Sequence, residues 1–309
     1  MPVTEEAILA KAVHDATGAR AQHWERIVGG EVNEVYGASV DSGADVIVRV
    51  SRTGTARFAT EQWALNAARA AGVPVPDMLL IDKGEDENGA YDLCVETRLQ
   101  GFPLESAGAA DLERLTEAAG MVTAQLHTIE LDGYGYLRAD GSAGQPSWAA
   151  VMRSQQSDAE LDRTEMRAEQ YGIPREWIRA ASAELQGHDE LFATMSSRLL
   201  HGDLTIPHVF SDGSSITGLI DFEQAFVGDP SFEFVRWEYF YKQAPLAWFL
   251  AGYGKVGDLG ADLELRIRLG RIRLHLALVD VYGGLGHEVA LRGVRTEFAD
   301  DAEWFGFAR

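Results

Sequence analysis

The chain has 309 residues, 46% of them hydrophobic, 48 acidic and 27 basic, for a formal net charge of −21. That size and composition fit one large bilobal unit or two domains, and the strong negative charge disfavours nucleic acid backbones and anionic membranes as partners while suiting a cationic small molecule. The single cysteine, Cys94, excludes an internal disulfide framework. No stretch of about 18 uncharged apolar residues occurs, and Met1–Glu6 lacks the basic-then-apolar pattern of a signal peptide, so the expectation is a cytoplasmic protein without a membrane span.

In chain order, Thr4 caps a first expected helix running to about Thr17, with Val3 placed to staple onto Ile8 and Gly18 just past its end. Strand-like runs follow at Trp24–Val28, Val32–Val40 and Asp45–Ser51, punctuated by Gly29-Gly30 and Asp41-Ser42-Gly43. A helix over Ala56–Ala71 is stopped by Gly72, Pro74 and Pro76. Two further strands, Met78–Asp82 and Tyr91–Thr97, flank an acidic turn. Five strands with one helix inserted after the third make an antiparallel α+β lobe.

The remainder reads as mostly helical, with helices near 109–129, 174–187, 230–241, 244–254, 262–282 and 295–305. Its one strand-like interruption is Arg198–Asp221. The fold class is therefore α+β and bilobal, with residues 1–98 as an N-terminal nucleotide-binding lobe and 99–309 as a helical catalytic and substrate lobe.

The densest chemical signal is His201-Gly202-Asp203-Leu204-Thr205-Ile206-Pro207-His208, followed by a turn, a short strand and Asp221-Phe222-Glu223. Phosphoryl transfer needs one carboxylate facing the incoming hydroxyl and another holding magnesium on the nucleotide phosphates. A short hairpin between Asp203 and Asp221 would bring both to one cleft. In that arrangement His201 braces the loop, and His208 reaches the same metal. The spacing fits the kinase pattern His-x-Asp-Leu-x-x-x-Asn, except that its last position is His208. No Gly-x-x-x-x-Gly-Lys-Ser/Thr loop, paired cysteines, His-Glu-x-x-His or Gly-x-Ser-x-Gly occurs, which disfavours a P-loop enzyme, a zinc site and an α/β-hydrolase.

At these residues the chain resembles the aminoglycoside phosphotransferase family, which shares the protein-kinase-like fold. Ile220-Asp221-Phe222, followed by Val227-Gly228-Asp229-Pro230, is similar to the family's distal signature, and the two C-lobe motifs are specific together; Leu126-His127 ends a helix as in the family, and weaker similarities lie at Gly29–Tyr36 (the nucleotide-covering turn), Val46–Val50 (the third strand) and Ala71–Pro76. The resemblance implies Asp203 as catalytic base with His201 beside it, Asp221 as Mg2+ ligand, and Asp229 as a buttress of the catalytic loop. It implies that ATP or GTP lies along Gly30, Asn33 and Arg49, with its base against the backbone near Glu96 and Arg98. Glu61 is placed to pair with Arg49 as kinases pair their lysine. Glu223 is either a second metal contact or a solvated glutamate.

Two departures stand out. Arg49 occupies the phosphate-gripping lysine position, and His208 replaces the asparagine. The macrolide phosphotransferases of the same family resemble the chain in having His-Gly-Asp-Leu-x-x-x-His. This implies an antibiotic as acceptor, a macrolide slightly ahead of an aminoglycoside, and resistance by O-phosphorylation. A metabolic small-alcohol or sugar kinase of the same fold and a nucleotide-binding pseudokinase remain as alternatives. The aromatic run Phe232–Phe249, with Glu233, Glu238 and the acidic stretch Asp158–Asp162, offers material either for a substrate wall or for ordinary helix packing and solvated faces.

Overall fold

The structure, a computed structural model, describes residues 4–27 and 33–307. Val3, and with it the expected staple, lies outside the described residues. Helix α1 (Glu6–Thr17) is capped by Glu5, one residue after the expected Thr4, and ends on Gly18 with a left-handed φ of 71°. It buries Leu9, Ala12 and Val13 on one face of a five-stranded antiparallel sheet. The strands are β1 (Ala21–Ile27), β2 (Glu34–Val40), β3 (Asp45–Ser51), β4 (Met78–Asp86) and β5 (Gly89–Thr97), in the order β1-β2-β3-β5-β4. The acidic turn is tighter than the sequence suggests, because β4 and β5 extend to within two residues of each other.

Strand alternation positions the first functional side chains. Val46, Val48 and Val50 of β3, with Leu93 and Val95 of β5, pack toward α1. Arg49, Cys94 and Glu96 therefore face the opposite side, toward α2 (Phe58–Ala70). Cys94 is fully buried, and burial pushes its thiol far above its ordinary range.

The second lobe opens with the short strand β6 (Phe102–Pro103) and helix α3 (Ala109–Leu126). Strands β7 (Tyr134–Leu137) and β8 (Ala143–Gln145) and helices α4 (Trp148–Met152), α5 (Asp158–Gln170), α6 (Arg175–Gly187) and α7 (Asp189–Phe192) follow. The strand-like interruption resolves into β9 (Arg198–Leu200), β10 (Val209–Ser211) and β11 (Ile216–Leu219), with β12 (Phe226–Gly228) just beyond. Helices α8 (Ser231–Phe240), α9 (Leu246–Tyr253), α10 (Leu263–Leu285) and α11 (Glu288–Trp304) complete the lobe. The α+β, bilobal, kinase-like class read from the sequence is the one observed. Among the described residues no helix is long and apolar enough to cross a membrane.

Two small sheets place the chemistry. Strand β9 pairs with β12 through Phe226 and Leu200, and β10 pairs with β11 through Val209 and Leu219. The loop leaving β9 for β10 and the loop leaving β11 for β12 thus span the same two sheets and run side by side. The first carries Asp203 and the second Asp221.

Candidate active site

The backbone of the loop over residues 201–204 is held from below by Glu233 of α8. Its fully buried carboxylate accepts hydrogen bonds from the N–H groups of His201 (2.6 Å), Gly202 (3.2 Å) and Leu204 (3.4 Å). Burial raises its pKa, but these bonds and His127 outweigh that and hold Glu233 below its ordinary value. Glu233 is therefore neither a solvated side chain nor a partner for a ligand amine. Asp229 does not buttress this loop. It caps Ser231 and pairs with Arg266 at 2.8 Å. Gly202 has a φ of 82°, and a Cβ there would stand 1.9 Å from the Gln224 carbonyl oxygen, so only glycine lets the two loops approach.

His201 joins the loops. Its Nε2–H donates to the Ile220 carbonyl at 2.8 Å, and its Nδ1 accepts from the Asp203 N–H at 3.3 Å. That pattern requires a neutral ring, in keeping with the burial that lowers its pKa. His201 is fully buried and acts on Asp203 through the backbone.

His208 has the complementary tautomer. Its Nδ1–H donates to the Asp203 carbonyl at 2.8 Å, which turns Nε2 toward Asp221, 3.7 Å from Oδ2. Asp221 sits in the left-handed region, with φ 67°, an unfavourable conformation for a non-glycine residue that aims its carboxylate back at His208. Asp203, His208 and Asp221 line one cleft of about 680 Å³ together with Asn33, Arg49 and Arg236.

Arg49 is buried and faces four carboxylates. Its Nη2 is bonded to Glu61 and stands 3.5 Å from Glu96, while Nη1 is 3.3 Å from Glu223 and 3.7 Å from Asp221. Burial opposes the charge on Arg49, but the surrounding acids push its pKa well up. Burial pushes the Glu61 and Glu96 carboxyls up against the pull of Arg49. Glu61 also accepts from the Phe222 N–H at 3.0 Å, tying α2 to the residue next to Asp221.

Glu223 is occupied by protein donors. Asn33 Nδ2 reaches it at 2.8 Å, Arg49 Nη1 at 3.3 Å and the Arg57 N–H at 3.3 Å. It binds the lobes together and is a poor candidate for a second metal contact. Glu96 points at Arg49, whereas the Arg98 side chain turns outward to Glu25 of β1. The N–H groups of Thr97 and Arg98 are already bonded to Asp77 and Asp45 carbonyls, at 2.9 and 3.0 Å. Gly30 and its turn lie outside the described residues.

The donors present fit a magnesium ion. Mg2+ is commonly bound by one or two protein ligands, with water and substrate phosphates completing the shell. Asp221 supplies a carboxylate and His208 a ring nitrogen to the same cleft. Among the described residues no group of three or more His, Cys, Asp or Glu side chains is placed to hold a metal ion by itself.

Sequence reasoning missed Arg236, whose Nη1 lies 3.6 Å from Asp203 Oδ1, and Arg57, which donates to the Glu223 carbonyl at 2.7 Å. Neither sits in a recognisable motif; only the packing of α8 and α2 brings them in. The aromatic run is divided: Phe234, Trp237 and Phe249 are core, while Phe240 and Tyr241 line the cleft. The acidic stretch 158–162 lies in α5, where Asp158 and Asp162 pair with Arg179 of α6.

No curated protein matches the chain in sequence. Solved structures match its fold. A thermostable mutant of aminoglycoside phosphotransferase APH(4)-Ia, in ternary complex with ADP and hygromycin B, superposes with a TM-score of 0.76 at 17% identity, covering 96% of this chain and 98% of that one. The macrolide 2'-phosphotransferase MphH from Brachybacterium faecium does so with 0.63 at 19% identity, covering 94% and 97%. The model of the phosphotransferase enzyme family matches residues 23–263, and by that match the chain belongs to the phosphotransferase enzyme family.

Proposed function

We propose that the chain transfers the terminal phosphate of ATP or GTP to a hydroxyl of a small molecule, with Asp203 accepting the hydroxyl proton. The observation that supports this most is the meeting of Asp203, His208 and Asp221 in one cleft beside Arg49. Arg49, held by Glu61, is the cation that grips the nucleotide phosphates, and Asn33 and Glu96 flank it. His201 and Glu233 fix the loop so that the Asp203 carboxylate projects into the cleft. Asp221 and His208 hold Mg2+, which when bound neutralises charge on the phosphates. The nucleotide base lies near the chain leaving Glu96 and Arg98.

The catalytic loop suggests an antibiotic acceptor, a macrolide ahead of an aminoglycoside. The cation expected of such acceptors is less well served, because Arg236 stands beside the base. That arginine favours a second reading, a small metabolic alcohol or sugar. Incubation with labelled ATP and GTP and a panel of macrolides, aminoglycosides, sugars and small alcohols, followed by locating the phosphate, separates these. Asp203→Asn should lower turnover by roughly 10²–10⁴-fold, the span of general-base contributions, and leave nucleotide affinity nearly unchanged. Near-normal turnover by this variant would remove Asp203 from the mechanism.

A further inference from the structure

Beside the reaction cleft lies a second cavity of about 320 Å³, and Arg236 lines both. Its walls are largely apolar, formed by Val151, Phe226, Phe232, Leu274 and Leu278. Into it comes Arg273 of α10. Its Nη2 donates to Ser154 Oγ at 2.9 Å and approaches Gln155 Oε1 at 3.5 Å, both uncharged. Gln155 is held with a left-handed φ of 61°, a strained conformation that persists only when its surroundings impose it. The Nε atoms of Arg273 and Arg236 are both buried without a hydrogen-bond partner among the described residues.

The charge pattern is unusual for this molecule. Acidic residues outnumber basic ones 48 to 27. Arg268 and Arg271, on the same helix as Arg273, each meet two or more carboxylates. Arg273 meets none within ion-pair distance among the described residues, and the one carboxylate near Arg236 is Asp203. Leaving such a cation unpaired is costly. Burial, with Arg236 adding to it, holds the Arg273 guanidinium below its ordinary value. A counter-ion supplied by a ligand would relieve both.

We propose that this cavity receives an oxyanion of the acceptor, a carboxylate or a phosphate monoester, gripped by Arg273 and Arg236. The molecule phosphorylated is then an acidic alcohol with an apolar body. Forked guanidinium groups match both oxyanions in geometry, and the apolar walls suit the carbon skeleton. The inference rests on the phosphotransfer reading, since Arg236 links the cavity to the base.

The test uses the full chain with its donor site filled by Mg2+ and a non-hydrolysable ATP analogue. Four probes are titrated by calorimetry: para-hydroxymethylbenzoate, the matching aryl phosphate, the uncharged para-methylbenzyl alcohol and the matching amine. At least one anionic probe is expected to bind roughly tenfold or more tighter than the uncharged one, as charge-assisted pairing allows; which one wins separates carboxylate from phosphate. Arg273→Met should remove most of that preference, Arg273→Lys part of it, and Arg236→Met serves if the first variant does not fold. Absence of anion binding, a preference for the neutral or amine probe, or an anion preference that survives both methionine variants would overturn the proposal. Failure of Mg2+ and the nucleotide analogue to bind at all is a separate result, read in the first titration, and counts against phosphotransfer itself.

Discussion

His208 shows how a single side chain can be committed by its neighbours. Donation of Nδ1–H to the Asp203 carbonyl fixes the ring's orientation, so Nε2 faces Asp221. Imidazole nitrogen is a softer ligand than an amide oxygen and suits manganese better than it suits magnesium. His208→Asn is therefore expected to keep Mg2+-supported turnover within roughly tenfold, while the ratio of Mn2+- to Mg2+-supported rates falls. His208→Leu, which removes the proposed ligand, should cost about 10–100-fold, the usual effect of disturbing a metal shell. Metal titrations of both variants check this; a leucine variant with the wild-type Mg2+ curve would show that His208 plays no part in holding the ion. The residue types around this centre were legible in the sequence because they fall in a short run, His201 to His208, with Asp221 one hairpin away. Arg236 was not, since nothing local distinguishes an arginine on α8 from a solvated one. Glu233 was misjudged for the same reason: a carboxylate that accepts three backbone N–H groups looks, in sequence, like any glutamate early in a helix.

At the level of elements, helices α3 and α9 approach so closely that their backbones touch. A Cβ on Gly120 would lie 2.0 Å from the Phe249 carbonyl oxygen, and one on Gly252 would lie 1.8 Å from that of Glu117. These distances leave no room for a methyl group, and backbone cannot yield as a side chain can. Gly252→Ala should therefore destabilise the protein by about 2–3 kcal/mol through overpacking, although alanine is by itself the better helix former by about 1 kcal/mol. Urea denaturation of the purified variant measures this, and a neutral or stabilising outcome would mean that the helices can separate freely. Long, periodic helices such as α10 were readable to within a few residues. Helix α5 was overlooked despite its signal: Ser157 and Glu160 form a capping box at its start. Its acidic run draws attention first, yet Asp158 and Asp162 are spent on Arg179 of α6 and Glu160 on the cap. The short strands β6, β7, β8 and β12 have two to four residues each, too few for alternation to show.

Across the whole molecule, the packing runs without a break over the division expected at residue 98. Helix α2 belongs to the first lobe by sequence, yet Ala64, Leu65 and Ala68 share one buried cluster with Leu115, Leu219 and Phe222 of the second. Polar ties follow the same seam: Glu61 accepts from the Phe222 N–H, Glu223 gathers Asn33, Arg49 and Arg57, and the Leu219 N–H donates to the Pro74 carbonyl at 3.0 Å. The sheet in turn hangs on α2 through the bond from Arg49 to Glu61. A core continuous across the seam should unfold as one cooperative unit. Urea transitions followed by far-ultraviolet circular dichroism and by tryptophan fluorescence are expected to coincide. Leu65 is fully buried, and Leu65→Ala should shift both curves together by about 3 kcal/mol, the usual cost of such a cavity. Two separated transitions, or a Leu65→Ala effect seen by only one of the two probes, would mean that the lobes are held together by the cleft side chains and not by shared core.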